Sequence, residues 1–181
     1  MQKKKGPWTV TGTKVVYKNP WMTVREDKVI TPAGKRGLFG TVEWLPGCSV
    51  IALDEKRNIY LTKEYHYAMS KVTIEAVSGG IDRKETKLAA AKRELKEEAG
   101  ITAKKWTHLG LIHPFTSQVG VPNYLYLAEG LSFGETDLDE TEQITIVKMP
   151  LKKALDLIES GKITHGATVA TLLKIARRLR I

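Results

Sequence analysis

A chain of 181 residues with 42% hydrophobic side chains can bury the core of one globular domain carrying a small subdomain, which excludes a disordered protein. Its 29 basic against 20 acidic residues leave a formal charge of +9, which favours an anionic partner. A single cysteine, Cys48, excludes an internal disulfide and any multi-cysteine zinc site, and a reduced thiol suits the cytoplasm.

Met1 to Lys5 is basic like the start of a secretory signal, but Gly6, Pro7 and Trp8 lead into polar, strand-like sequence. No stretch approaches the roughly 18 apolar residues of a membrane span, so no membrane partner is expected. The basic knots Lys3-Lys4-Lys5 and Arg177-Arg178 carry no interleaved aromatics and read as solvated surface, which disfavours a nucleic-acid partner.

In chain order, Lys14 to Tyr17, Thr23 to Ile30 and Leu38 to Trp44 read as strands, with a hairpin turn at Pro32-Ala33-Gly34-Lys35. Pro46-Gly47 marks a boundary, dividing residues 1–46 from 47–181. Ser49 to Leu53 and Ile59 to Lys63 form the next hairpin, and Thr73 to Val77 is a strand ending at Ser78-Gly79-Gly80. A helix is predicted from Thr86 to Ala99, its apolar stripe made of Leu88, Ala91, Leu95 and Ala99, with Gly100 placed to stop it. Strands follow at Trp106 to Ile112, Tyr124 to Ala128 and Ile144 to Lys148. Pro150 opens a helix that Gly161 stops. The last helix, Gly166 to Leu179, turns Val169, Leu172, Leu173 and Ala176 inward and Lys174, Arg177 and Arg178 outward. Mixed strands with three separated helices give an α/β sandwich.

The chemistry concentrates between Gly79 and Ile101. On the helix, Glu94, Glu97 and Glu98 project within one sector, at the edge of the buried face. Like charges four residues apart weaken a helix, and no lysine follows Glu94 or Glu97 at that spacing. Hard divalent cations take oxygen ligands and combine a few carboxylates with waters and phosphates. By spacing alone, a metal site for a phosphate ester and a solvated helix face both stay open.

The order of residues narrows this. Gly79, Glu85, Arg93, Glu94, Leu95, Glu97, Glu98, Gly100 and Ile101 match every defined position of the Nudix box, Gly-x5-Glu-x7-Arg-Glu-U-x-Glu-Glu-x-Gly-U, over 23 residues. Beyond the box, Ser49 to Leu53 and Ile59 to Tyr65 resemble the first core hairpin of the ADP-ribose and nucleoside diphosphate sugar hydrolase branch. Glu75-Ala76-Val77-Ser78-Gly79 resembles the branch's Glu-x-Pro-Ala-Gly, Asp139 to Ile144 its acidic catalytic loop, and Ser160-Gly161-Lys162-Ile163 the step between its last helices.

The resemblance implies an α/β/α sandwich with a mixed sheet. A small N-terminal β subdomain (1–46) would serve dimerisation and base recognition, and residues 47–181 would form the hydrolase domain. It further implies Mg²⁺, with Mn²⁺ able to substitute, held by Glu94 and Glu98 with help from Glu97 and the backbone carbonyl of Ser78. Glu85 and Arg93 would brace the loop–helix–loop, and Gly79 and Gly80 would let the backbone turn tightly. Glu142, ahead of Glu140, would orient or deprotonate the attacking water. Trp21 and Trp44, ahead of Tyr17 and Trp8, would stack on a nucleobase, in a homodimer that exchanges N-terminal strands.

Two departures bear on specificity. His66, a candidate substrate-binding residue, stands where the resembling branch carries an arginine that would contact a phosphate, exchanging a permanent cation for a hydrogen-bond donor. His113 to Gly120 lacks the branch's Ser-Pro-Gly followed by Glu. The implied reaction is therefore hydrolysis of ADP-ribose or of another nucleoside diphosphate sugar. Dinucleoside polyphosphates, RNA 5′ ends and a non-catalytic sensor are the alternatives.

Overall fold

The computed structural model describes residues 3–138, 140 and 143–181. The chain divides into two compact units, Met1–Leu45 with His113–Val121, and Pro46–Ile112 with Pro122–Ile181.

The first unit is an antiparallel sheet in the order β1 (Lys3–Lys5), β2 (Trp8–Lys18), β3 (Met22–Ile30), β4 (Arg36–Trp44). Asn19 makes the β2–β3 turn by accepting the N–H groups of Trp21 and Met22 at 3.0 and 2.7 Å. The expected turn before β4 is closed by Thr31 N–H to Lys35 at 2.8 Å, with Gly34 at φ 77°. The segment 113–121 joins this sheet through Val42 N–H to the Gln118 carbonyl at 2.9 Å. Among the described residues of this unit only Thr9, Asp27 and Val29 are buried, whereas Val15, Val16, Tyr17, Trp21, Leu38 and Trp44 are exposed.

The second unit is built on a mixed sheet, ordered β11 (Thr145–Pro150), β6 (Asn58–His66), β5 (Gly47–Leu53), β10 (Asn123–Phe133), β9 (Ile101–Ile112). β7 (Lys71–Glu75) adds to β6 and β8 (Val77–Gly80) to β5. β5 runs parallel to β10 along its whole length, and pairs with β6 only at Ala52–Tyr60 and Leu53–Ile59. The expected hairpin is thus present but short, because the start of β5 is taken by β8.

Alternation along β5 explains the layers. Cys48, Val50 and Ala52 pack with Ala90, Ala91 and Leu95 of α1 (Lys87–Ala99). Ile51 and Leu53 pack on the other face with Leu151 and Ala154 of α2 (Leu151–Glu159) and Leu172 and Ile175 of α3 (Gly166–Leu179). This is the α/β/α sandwich with a mixed sheet that the sequence implied. Two inward assignments are corrected: Leu88 and Leu173 are exposed. The sheet meets α1 along Ala90, Ala91, Glu94, Leu95 and Glu98, a face rotated away from Leu88. Short residues flanking Leu172, Thr168 and Thr171 among them, carry the inner face of α3. No helix among the described residues is long and apolar enough to cross a membrane.

Candidate active site

Local sequence starts and stops α1 where the site needs it. Thr86 accepts the Ala89 N–H at 3.2 Å as N-cap, and Gly100 ends the helix at φ 62°, its N–H returning to the Leu95 and Lys96 carbonyls. A side chain at position 100 would strike the Gly134 carbonyl. That close approach lets Gly134 N–H bond the Gly100 carbonyl at 2.7 Å and Asp137 N–H bond the Glu97 carbonyl at 2.8 Å. The stretch after β10 is thereby fastened to the C-terminal end of α1. Of the two loop carboxylates, Glu140 is exposed, and Glu142 lies outside the described residues.

Glu94 and Glu98 are only 9% and 6% exposed, so they sit within the buried face of α1 rather than at its edge. Glycine makes room for this. Gly79 lies within β8, opposite Cys48, and a Cβ there would collide with the Glu94 carboxylate. The glycine therefore serves as a seat for a carboxylate, and the expected tight turn at Gly79-Gly80 is replaced by extended strand.

Arg93 is the hub of the cluster. Its Nε and Nη2 donate to the two oxygens of Glu85 at 3.1 and 3.0 Å, and Nη2 also donates to the Gly80 carbonyl at 3.1 Å. Nη1 donates to Glu94 and to Glu97, both at 2.9 Å. The Glu85 contact was implied by the motif; those to Glu94 and Glu97 were not, although adjacency and i,i+4 spacing place them in reach. Hydrogen bonding to Glu85, opposed by burial and aided by Glu97 and Glu94, raises Arg93 above the ordinary arginine value. In return Arg93 holds Glu85 below the usual carboxylate range. One guanidinium thus gathers three carboxylates, Glu85, Glu94 and Glu97, within 3.0 Å.

The donors present suit a hard cation: carboxylate oxygens on α1, and the Ser78 carbonyl one peptide before the glycine seat. The Ser78 hydroxyl is otherwise engaged, donating to Ala76 O at 2.9 Å and accepting from Ser49 at 2.8 Å. Among the described residues, no three His, Cys, Asp or Glu side chains are grouped as a preformed cage. A hard cation such as Mg²⁺ uses few protein ligands and leaves the rest to water and substrate phosphates.

His66 closes β6 and faces Glu75 of β7, with Nε2 3.2 Å from Oε1. In the N-terminal unit, Trp21 and Trp44 are 63% and 53% exposed, and neither lines the cavity there that has aromatic walls. That cavity, about 390 Å³, is walled by Trp8 and Phe39, which meet edge to face at 5.4 Å, with Asp27, Glu43, Lys5 and Gln118 around them. Phe39 and Asp27 were missed in the sequence; their cross-strand pairing in β3–β4 was the available signal.

Comparison with known proteins agrees with this geometry. A model of the nucleoside diphosphate sugar hydrolase N-terminal domain matches residues 8–42, and the NUDIX domain model matches residues 43–171. The CMP-5'-(N-acetyl-N-hydroxy-3-aminopropyl)phosphonate hydrolase of Streptomyces rubellomurinus is 29% identical, over 93% of this chain and 82% of its own. The ADP-ribose pyrophosphatase of Bacillus subtilis is 28% identical over 78% of each chain. The ADP compounds hydrolase NudE of Escherichia coli is 28% identical over 68% and 66%. A crystal structure of an ADP compounds hydrolase superposes with a TM-score of 0.85, covering 98% and 97% of the two chains at 23% identity, and so shares the fold.

Proposed function

The chain belongs to the Nudix hydrolases, and on that premise we propose that it cleaves the diphosphate bond of ADP-ribose or a related nucleoside diphosphate sugar. The products would be a nucleoside monophosphate and a sugar phosphate. The observation that carries this reading is the pair of buried carboxylates on α1, Glu94 and Glu98, with Glu94 seated on Gly79 and coupled to Arg93. The N-terminal match to nucleoside diphosphate sugar hydrolases and the relatives that act on ADP-ribose and ADP compounds support the substrate class.

Family members generally use a divalent metal. Glu94 and Glu98, with Glu97 and the Ser78 carbonyl, would hold Mg²⁺, which when bound lowers the pKa of water and offsets charge on the phosphate oxygens. Arg93 keeps the carboxylates of Glu94 and Glu97 in place through 2.9 Å contacts, while Glu85 keeps Arg93 in place. Glu142 or Glu140 would take the proton from the attacking water. Water adds to one phosphorus, the bridging P–O bond breaks, and the leaving phosphate departs with the electron pair.

In the N-terminal unit Trp21 and Trp44 would stack on the base, with the Trp8–Phe39 cavity as a second aromatic surface. A sheet that buries so little of its apolar surface supports a homodimer that shares N-terminal strands. Incubation with Mg²⁺ and a panel of ADP-ribose, UDP-glucose, GDP-mannose, diadenosine polyphosphate and capped RNA tests the substrate. Turnover confined to the last two would replace this reading with the polyphosphate alternative. Binding with no turnover of any of them would favour a sensor.

A further inference from the structure

Glu75 ends β7, four residues before the glycine seat, and its side chain is only 13% exposed. Three donors converge on this one carboxylate. The Thr73 hydroxyl donates to Oε1 at 2.7 Å, His66 Nε2 lies 3.2 Å from the same oxygen, and His165 Nδ1 lies 3.1 Å from Oε2. A carboxylate only accepts, so each imidazole nitrogen that faces it carries the hydrogen. His66 is thereby set with Nε2–H on Glu75, which leaves Nδ1 as its nitrogen for a ligand.

His165 arrives from the far end of the chain as the N-cap of α3. Its Nδ1 also lies 2.9 Å from Thr168 Oγ1, and that hydroxyl accepts the Ala76 N–H at 2.8 Å. The start of α3 is thus fastened to the junction of β7 and β8, the strand line that leads to Ser78 and Gly79. Burial holds His165 below the ordinary histidine value, against the pull of Glu75 and with a small push from His66. With its hydrogen on Nδ1, His165 donates to Glu75 through that nitrogen and needs no second proton to do so.

We propose that Glu75 and His165 are positioning residues for His66, fixing Nε2–H on Glu75 so that Nδ1 is the nitrogen that meets a substrate phosphate, taking up a proton to donate to it. This rests on the diphosphate-hydrolase reading above. It also explains how a histidine serves where the resembling branch has an arginine: a permanent cation needs no partner to hold its charge, whereas an imidazole must have its tautomer and charge set by a neighbour.

A double-mutant cycle with ADP-ribose separates positioning from a merely structural role. His165→Ala should raise KM about tenfold, as loss of a supporting hydrogen bond does at other sites, with kcat within about twofold. In a His66→Ala background the same change should add nothing to KM, because its effect passes through His66. His165→Asn, whose amide donor stands in for Nδ1–H and which is a good N-cap, should recover most of the loss. An unchanged KM in His165→Ala, or an equal rise in the His66→Ala background, overturns the proposal.

Imidazole ¹⁵N spectra give a readout that does not depend on turnover. His66, identified by its loss in His66→Gln, should show Nε2–H in the wild type, respond at Nδ1 to added ADP, and lose the fixed tautomer in Glu75→Gln. If the wild type hydrolyses no nucleoside diphosphate sugar yet these signals behave as stated, the substrate reading fails and the positioning network stands. If His66 shows no preference for Nε2–H, or its Nδ1 ignores ADP, the positioning proposal fails whatever the enzyme cleaves.

Discussion

In the box helix Glu94 and Glu98 are withdrawn from solvent and Arg93 ties Glu85, Glu94 and Glu97 together, whereas in the N-terminal sheet Trp21 and Trp44, proposed to stack on a base, stand more than half exposed. The chemistry each would do accounts for the contrast. Hydrolysis of a diphosphate needs carboxylates at fixed places, and a buried charge stays in place only if a hydrogen-bonding partner and a matching cavity hold it. Stacking on a flat base needs area and tolerates a range of offsets, so an exposed indole suffices. Substitutions in the helix should therefore act chiefly on kcat, and substitutions in the sheet chiefly on KM.

The largest expected effect is at Glu98. Glu98→Gln keeps the volume and removes a proposed metal ligand, so kcat should fall at least about 100-fold, the size of loss seen when one preorganised electrostatic contact is deleted. The melting temperature should move little. Undiminished turnover would remove Glu98 from the machinery, and with it the first half of the contrast.

Gly79→Ala asks whether the helix carboxylates depend on the shape of the neighbouring strand. The added methyl must displace the Glu94 carboxylate, since it would occupy the same space. Overpacking of this kind costs about 1–3 kcal/mol, and the displaced carboxylate should also lower kcat. A variant with native kcat and native melting temperature would show that Glu94 does not need its seat. In the sheet, Trp21→Ala should raise KM about tenfold through lost stacking and leave kcat nearly unchanged. If Trp8→Ala or Phe39→Ala has that effect instead, the base lies against the 390 Å³ cavity and not on the exposed indoles.

The same contrast governs what was legible before any coordinates. Arg93, Glu94 and Glu97 lie on one helix and Glu85 just before it, so local geometry brings them together across a short segment. The Nudix order of residues was readable for the same reason, as were the three helices and the two caps of α1. The burial of Glu94 and Glu98 was not, because it depends on β8 passing with a glycine at the point of contact. Leu88 and Leu173 fit an apolar period, but which face of a helix is covered depends on where the sheet lies. The bond from Val42 to Gln118 ties the segment 113–121 to the rest of the first unit across a long stretch of sequence. His165 meets Glu75 across a still longer separation in sequence. Neither contact leaves a periodic trace, since long-range pairing is written in tertiary packing and not in local propensity.

The smallest effect tests whether the box is braced by charge or only by shape. Arg93 lowers the folded-state pKa of Glu85, so the contact contributes stability that is full above the unfolded carboxylate's pKa. That contribution is lost as pH falls through the lowered folded value. Glu85→Gln forfeits the charge at every pH while keeping the side chain's size. The wild type should therefore melt above the variant at neutral pH by the equivalent of about 1 kcal/mol, the upper range for a partly exposed pair. The gap should close as the solution is made acid, because protonated Glu85 holds Arg93 no better than glutamine does. A gap that persists undiminished in acid would mean that hydrogen-bond geometry alone secures Arg93. Glu94 and Glu97 would then supply the charge that keeps it between them, and the helix site would depend on its own carboxylates more than on the loop before it.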